Sequence, residues 1–88
     1  MVNKYINDLI RYSKYSGAFE YAAKRLLADK SNAKLRSEMQ SAYNILENVG
    51  FKAIEDIFNN NPNDADAESI YNIASVDLTY MRIIFQNI

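Results

Sequence analysis

The chain has 88 residues, of which 49% are hydrophobic and 24% charged, with a formal net charge of −1; this composition supports one folded domain and argues against disorder. It contains neither cysteine nor histidine, which excludes disulfides, thiolate chemistry, Ser-His and Cys-His nucleophile pairs and an ordinary zinc site. No stretch approaches the roughly 18 uninterrupted apolar residues of a transmembrane helix, and the opening Met1-Val2-Asn3-Lys4-Tyr5 has neither a signal peptide's apolar core nor the glycine that myristoylation requires, so the expected setting is the cytoplasm.

With only 2 glycines and 1 proline to interrupt it, the chain is expected to form long helices. Tyr5, Leu9, Tyr12, Ser16, Phe19, Ala23 and Leu26 recur in alternating steps of four and three, the period of one helix face. Asn3 is the expected cap. Gly17 lies within this pattern, either as a break, with Ser16 capping a second helix, or inside one helix at a cost of about 1 kcal/mol relative to alanine. The unbroken stripe favours continuity, giving a helix from about Asn3 to Asp29, roughly 40 Å long, that would protrude from a compact monomer or find a partner. Lys30-Ser31-Asn32 reads as a loop, with Ser31 or Asn32 capping the next helix.

That second helix carries Leu35, Met39, Ala42, Leu46 and Val49 at the same spacing, and Gly50 is expected to stop it. Phe51, Ile54, Ile57 and Phe58 predict a short amphipathic helix. Asn59 to Asp64 is the clearest loop, with Pro62 at its centre and Asn61 as the expected cap of a helix beginning at that proline. Asp64, Asp66 and Glu68 suit the positive end of its dipole. The last helix is expected to bury Ile70, Ile73, Val76, Tyr80, Ile83 and Ile84. Its β-branched content makes a strand over Val76 to Phe85 the competing assignment, but recurrence at three and four favours helix. The expected fold is all-α: a small antiparallel bundle of four to five helices in a single domain, with stripes that also suit packing between chains.

The near-neutral total hides an asymmetry. Residues 1–36 hold eight basic side chains against three acidic ones, and residues 37–88 hold two against eight. Lys24, Arg25, Lys30, Lys34 and Arg36 gather around the first loop and form the candidate partner-binding patch, with Tyr15 and Tyr21, which lie off the first apolar stripe. Tyrosine combines contact area with a polar tip and is favoured at interfaces. The halves either pack and neutralise each other, meet between molecules, or leave the basic half to an acidic partner. Nucleic acid is the weaker form of that last reading, because the acidic half would repel phosphate.

No catalytic, cofactor-binding or metal-binding set emerges. Asp64-Ala65-Asp66-Ala67-Glu68 superficially suggests a calcium loop, but the positions that need glycine and glutamate are Ser69 and Ser75. Glu55 and Asp56 are neighbours that do not face each other on a helix. Glu20 and Asp77 lie near apolar stripes and are candidates for buried carboxylates, with a solvated or paired role favoured for both.

Two resemblances bear on function. Pro62-Asn63-Asp64-Ala65-Asp66-Ala67 followed by Tyr71-Asn72-Ile73-Ala74 resembles a junction between tetratricopeptide repeats, as do the preceding Ala53-Ile54 and Phe58. The likeness covers about 25 residues, departs by the insertion Glu68-Ser69 and has no second copy at the repeat period, so it implies shared turn chemistry. The chain as a whole, through its size, its Asn, Ile, Tyr and Lys bias and the opening Tyr5-Ile6-Asn7-Asp8-Leu9-Ile10, resembles small helical accessory proteins of T-even-type phages. These include the antiholin class that helps inhibit host lysis. The same bias suggests a low-GC genome. The resemblance implies a role in lysis timing or in blocking a host factor. The expected function is therefore a non-enzymatic, self-associating helical module that regulates by binding another protein. The alternative is a small nucleic-acid-binding regulator acting through the basic N-terminal half.

Overall fold

The computed structural model describes residues 2–88 as three helices joined by two short turns. Helix α1 spans Ile6–Ala28. Helix α2 is a continuous rod over 33–60, made of an α-helical stretch Ala33–Ile45, a π-helical stretch Leu46–Phe51 and a second α-helical stretch Lys52–Asn60. Helix α3 spans Ala65–Asn87. No strand occurs among the described residues, so the segment from Val76 to Phe85 is helical. The expected four to five helices become three because the stop expected at Gly50 does not occur, nor does the break at Gly17 that a fifth helix would need.

Gly17 is the first. α1 runs through it unbroken, and Ser16, considered above as a second cap, is instead buried against α3. Gly50 is the second. It has no positive φ and lies buried inside the π-helical stretch. A β-carbon there would come 2.9 Å from Tyr15 Cδ2 and 3.2 Å from Tyr15 Cβ. Gly50 is therefore a place where α1 and α2 approach closely, within the widened turn. A π-helical turn holds more residues than an α-helical one. The buried positions of α2 accordingly step from Met39 to Tyr43, Leu46, Gly50 and Ile54, with two successive steps of four around the widened turn. Val49, expected inside, is 51% exposed for the same reason.

The helix ends follow local chemistry. The Asn32 side chain accepts from Leu35 N at 3.1 Å and caps α2. Asp64, rather than Asn61, caps α3, accepting from Asp66 N at 2.9 Å, while Pro62 stays in the turn. Asn3 does not cap α1 directly. Its side chain accepts from Tyr5 N at 2.8 Å and donates to Asp66 O at 3.0 Å, tying the segment before α1 to the start of α3. Lys4 forms an ion pair with Asp64, and the Tyr5 hydroxyl donates to the same carboxylate at 3.2 Å.

The core runs the length of the molecule, which measures 46 × 21 × 16 Å with a Cα radius of gyration of 14.2 Å, longer than the roughly 12 Å of a compact chain this size. The long α1 does not protrude, because α3 matches its length and α2 exceeds it. Phe19, Leu26, Met39, Leu46, Ile54 and Ile70 are the largest fully buried side chains. At one end Tyr43 stacks on Phe85 with ring centroids 4.2 Å apart, and Phe19 meets both rings edge-on, so one aromatic cluster joins all three helices. Nearer the other end Tyr71 packs against Phe51 and Phe58.

The two glycines are expected to respond oppositely to alanine. A β-carbon at Gly17 meets nothing within 4 Å, so Gly17→Ala is expected to stabilise by about 0.5–1 kcal/mol. Gly50→Ala pushes against the root of the Tyr15 side chain and is expected to destabilise by about 1–3 kcal/mol. Thermal melts of both variants check the pair. The Asp64 carboxyl is held below its ordinary 3.8, chiefly by hydrogen bonding to Lys4, with Asp66 N and Tyr5 assisting against desolvation. Its folded-state pKa being lowered, its contribution is present above the unfolded value and is lost as pH falls through the folded one. Asp64→Asn keeps a cap but loses the charge. Its stability deficit in urea melts is expected to stay constant above about pH 5 and close towards pH 2.

Candidate functional site

Of the residues singled out as a partner-binding patch, Lys24, Arg25, Lys30, Lys34 and Arg36 lie around the turn between α1 and α2, with Tyr21 beside them, and Tyr15 does not. They are interleaved with acids. Lys24 lies 3.1 Å from Glu20 and Arg25 3.0 Å from Glu38, and Arg25 also sits 5.7 Å from the centre of the Tyr21 ring. Arg36 donates to Lys30 O at 3.1 Å and to Ile88 O at 3.4 Å, so it fastens the turn and the end of α3 together. Lys30 and Lys34 are exposed and form no ion pair among the described residues. Tyr21 is exposed beside this end, whereas Tyr15 is half-buried against Gly50, within the α1–α2 contact. The patch is thus two open lysines and an open tyrosine among neutralised pairs.

The more distinctive surface lies on α3, where Ile70 is buried and Ile84 half-buried as anticipated but the other four expected core side chains are not. Ile73, Val76, Tyr80 and Ile83, expected in the core, are each between 52% and 64% exposed. The buried side chains are Ala67, Ile70, Ala74, Leu78 and Met81. Both sets recur at three and four, so α3 carries two apolar flanks at helical spacing. The alanines of the inner flank let the neighbouring helices come close, and its ends are pinned by Phe85 and Tyr71 stacking on α2.

Polar contacts hold the same rotation. The Asp77 carboxylate accepts from the Tyr12 hydroxyl at 2.7 Å and from the Ser16 hydroxyl at 2.6 Å, and Tyr12 also approaches Ala74 O at 3.2 Å. This half-buried carboxylate is therefore held by two hydroxyls and forms no ion pair among the described residues. Glu20, the other carboxylate considered, is paired with Lys24. On the opposite side Arg82 Nε donates to the Tyr43 hydroxyl at 3.2 Å, with Glu47 3.8 Å from the guanidinium. After Glu68 these are the only charged residues of α3, and both turn sideways to the neighbouring helices.

The outward face between them is uncharged from Ser69 to Asn87. It presents Ser69, Ile73, Val76, Tyr80, Ile83 and Asn87, all exposed, in steps of 4, 3, 4, 3 and 4. Val76, Thr79, Tyr80 and Ile83 line a shallow depression of about 350 Å³. Beside it, a groove of about 250 Å³ between α1 and α3 runs over Ser13, Gly17, Glu20, Ile73 and Asp77. A third depression, of about 390 Å³, lies between α2 and α3 among Glu47, Lys52, Glu55 and Arg82. Among the described residues there is no group of three or more acidic side chains placed to hold a metal ion, and no helix is long and apolar enough to cross a membrane. No family model, curated protein or solved structure matches the chain.

Burial, with hydrogen bonding to Asp77 next, pushes the Tyr12 phenol far above its ordinary 10. A raised folded-state value contributes stability that is complete below the unfolded pKa and is lost as pH rises above it. Tyr12→Phe leaves Asp77 with one hydroxyl donor and is expected to destabilise by about 1–2 kcal/mol. In denaturant melts, that deficit is expected to be level between about pH 6 and 9 and to shrink above about pH 10, where the wild type alone meets the tyrosine penalty.

Proposed function

We propose that this protein is a non-enzymatic helical interaction module that acts by binding other protein surfaces. The observation that carries the reading is the outward flank of α3: four large apolar side chains, each more than half exposed, on a face with no charged residue from Ser69 to Asn87. Contiguous exposed apolar patches of about 300–600 Å² on a monomer are often functional, and loss of charge at the centre of a patch is the compositional mark of an interface core.

The resemblance to accessory proteins of T-even-type phages supplies the proposed setting: a cytoplasmic regulator in an infected cell that delays lysis or occupies a host factor. Within that reading α3 supplies the apolar contact, and the end of the molecule bearing Lys30, Lys34 and Tyr21 is free for a second, acidic partner.

The test is affinity capture from the lysate of an infected host, with the wild type and a Val76→Glu/Tyr80→Glu variant as baits. Both positions are exposed, so the variant is expected to keep its helical circular dichroism. A protein held by the wild type and released by the variant is the expected result. A parallel titration with duplex and single-stranded DNA at low salt, where electrostatics are least screened, is expected to show no binding. Salt-dependent DNA binding, together with an unchanged captured set, would transfer the function to the basic end and to nucleic acid.

A further inference from the structure

We propose that the occupant of the outward α3 face is a second copy of this chain, paired antiparallel about a two-fold axis close to residue 78. This deepens the interaction-module reading and rests on it.

The argument begins with register. Ser69, Ile73, Val76, Tyr80, Ile83 and Asn87 occupy six successive positions spaced 4, 3, 4, 3 and 4, the a and d seam of a heptad pattern, sustained over about 27 Å of helix. That series reads the same in reverse. In an antiparallel pair Ser69 therefore meets Asn87 of the second copy, Ile73 meets Ile83, and Val76 meets Tyr80. Polar end meets polar end, apolar centre meets apolar centre, and a small side chain faces a large one in the middle layers. Parallel pairing would set Tyr80 against Tyr80 and Val76 against Val76, crowding one layer and leaving the next underfilled. It would also align the two helix dipoles, which antiparallel pairing opposes.

Charge points the same way. The flanking exposed positions Asn72, Thr79 and Gln86 are uncharged. Antiparallel pairing brings Asn72 beside Gln86 of the second copy and Thr79 beside its own equivalent on one flank; on the other it brings Asp77 towards its own equivalent, each carboxylate being turned to the Tyr12 and Ser16 hydroxyls of its own chain. Dimeric coiled coils usually choose partners through charges at such positions. A face without them gains nothing from a partner of complementary charge, whereas a second uncharged face is its natural match. The outward faces of the other helices do not qualify: Arg11 and Lys14 are exposed on α1, and Lys34, Lys52 and Asp56 on α2. The charges nearest the α3 face, Asp77 and Arg82, are already bonded to α1 and α2.

Area sets the strength. One helix flank with four half-exposed apolar side chains lies at or below the roughly 1,200 Å² that separates weak interfaces from standard ones. The dimer is therefore expected to be reversible, with a dissociation constant on the order of micromolar. It places the two basic α1–α2 turns at opposite ends of the assembly, each open to a further partner.

Analytical ultracentrifugation of the full chain from about 1 μM to 1 mM tests the proposal with two variants, Val76→Glu and Tyr80→Lys. Each is expected to retain its helical spectrum and to weaken self-association at least tenfold. An equimolar mixture of the two is expected to restore the dimer, because antiparallel pairing sets the new glutamate of one chain against the new lysine of the other and leaves a native Val76–Tyr80 layer. A wild type that stays monomeric at about 1 mM overturns self-pairing, as does a dimer indifferent to both substitutions. A dimer lost in each variant but not restored on mixing overturns the antiparallel register. If the wild type is monomeric but Val76→Glu still releases a captured protein, the face belongs to a different polypeptide. In that case this inference fails while the interaction-module reading stands.

Discussion

The hydrogen bonds from Tyr12 and Ser16 to Asp77 constrain everything else about the outer surface of this protein. α3 has two apolar flanks and room to bury one. Turning the helix to bury Ile73, Val76 and Tyr80 would carry Asp77 away from its two donors and leave the Tyr12 hydroxyl without an acceptor. Unpartnered buried polar groups cost about 1–3 kcal/mol each, enough to choose between two flanks of similar greasiness. Arg82 reaching Tyr43 and Phe85 stacking on the same ring reinforce the choice from the α2 side. The uncharged outer face is thus the flank that lost this competition.

A second constraint acts along the α1–α2 contact. Gly50 lets the root of Tyr15 sit where a β-carbon would stand, and the π-helical stretch brings Gly50 round to that point while returning the rest of α2 to register for Ile54. A regular helix with the same sequence would carry Val49 inward and lose this approach. The widened turn is rare in proteins generally, and here its cause is tertiary: the fit between one glycine and one tyrosine on a neighbouring helix.

The polar ends of the molecule behave more predictably. Asn32 and Asp64 cap because their short side chains reach the free N–H groups of a first helical turn, and the acids at 64, 66 and 68 follow the helix dipole. The basic turn that stood out in the sequence is partly self-neutralised: Arg25 finds Glu38 and Lys24 finds Glu20.

Spacing in the sequence by itself favoured helices over strands and the continuity of α1 through Gly17, marked the inner stripe Tyr12–Ser16–Phe19–Ala23–Leu26 and narrowed the cap of α2 to Ser31 or Asn32, because these follow from contacts within a few residues along the chain. Spacing could not reveal that Gly50 continues a helix, since its role depends on Tyr15, 35 positions earlier. Nor could it decide which flank of α3 faces solvent: Ile73–Val76–Tyr80–Ile83 and Ile70–Ala74–Leu78–Met81 are equivalent as periodic patterns. They differ only in what α1 and α2 offer across the gap: two hydroxyls for Asp77, a phenol for Arg82 and a flat ring for Phe85. The period of an apolar pattern is a local property that a single chain segment displays. The direction in which that segment turns is set by its neighbours, and only the tertiary structure supplies them.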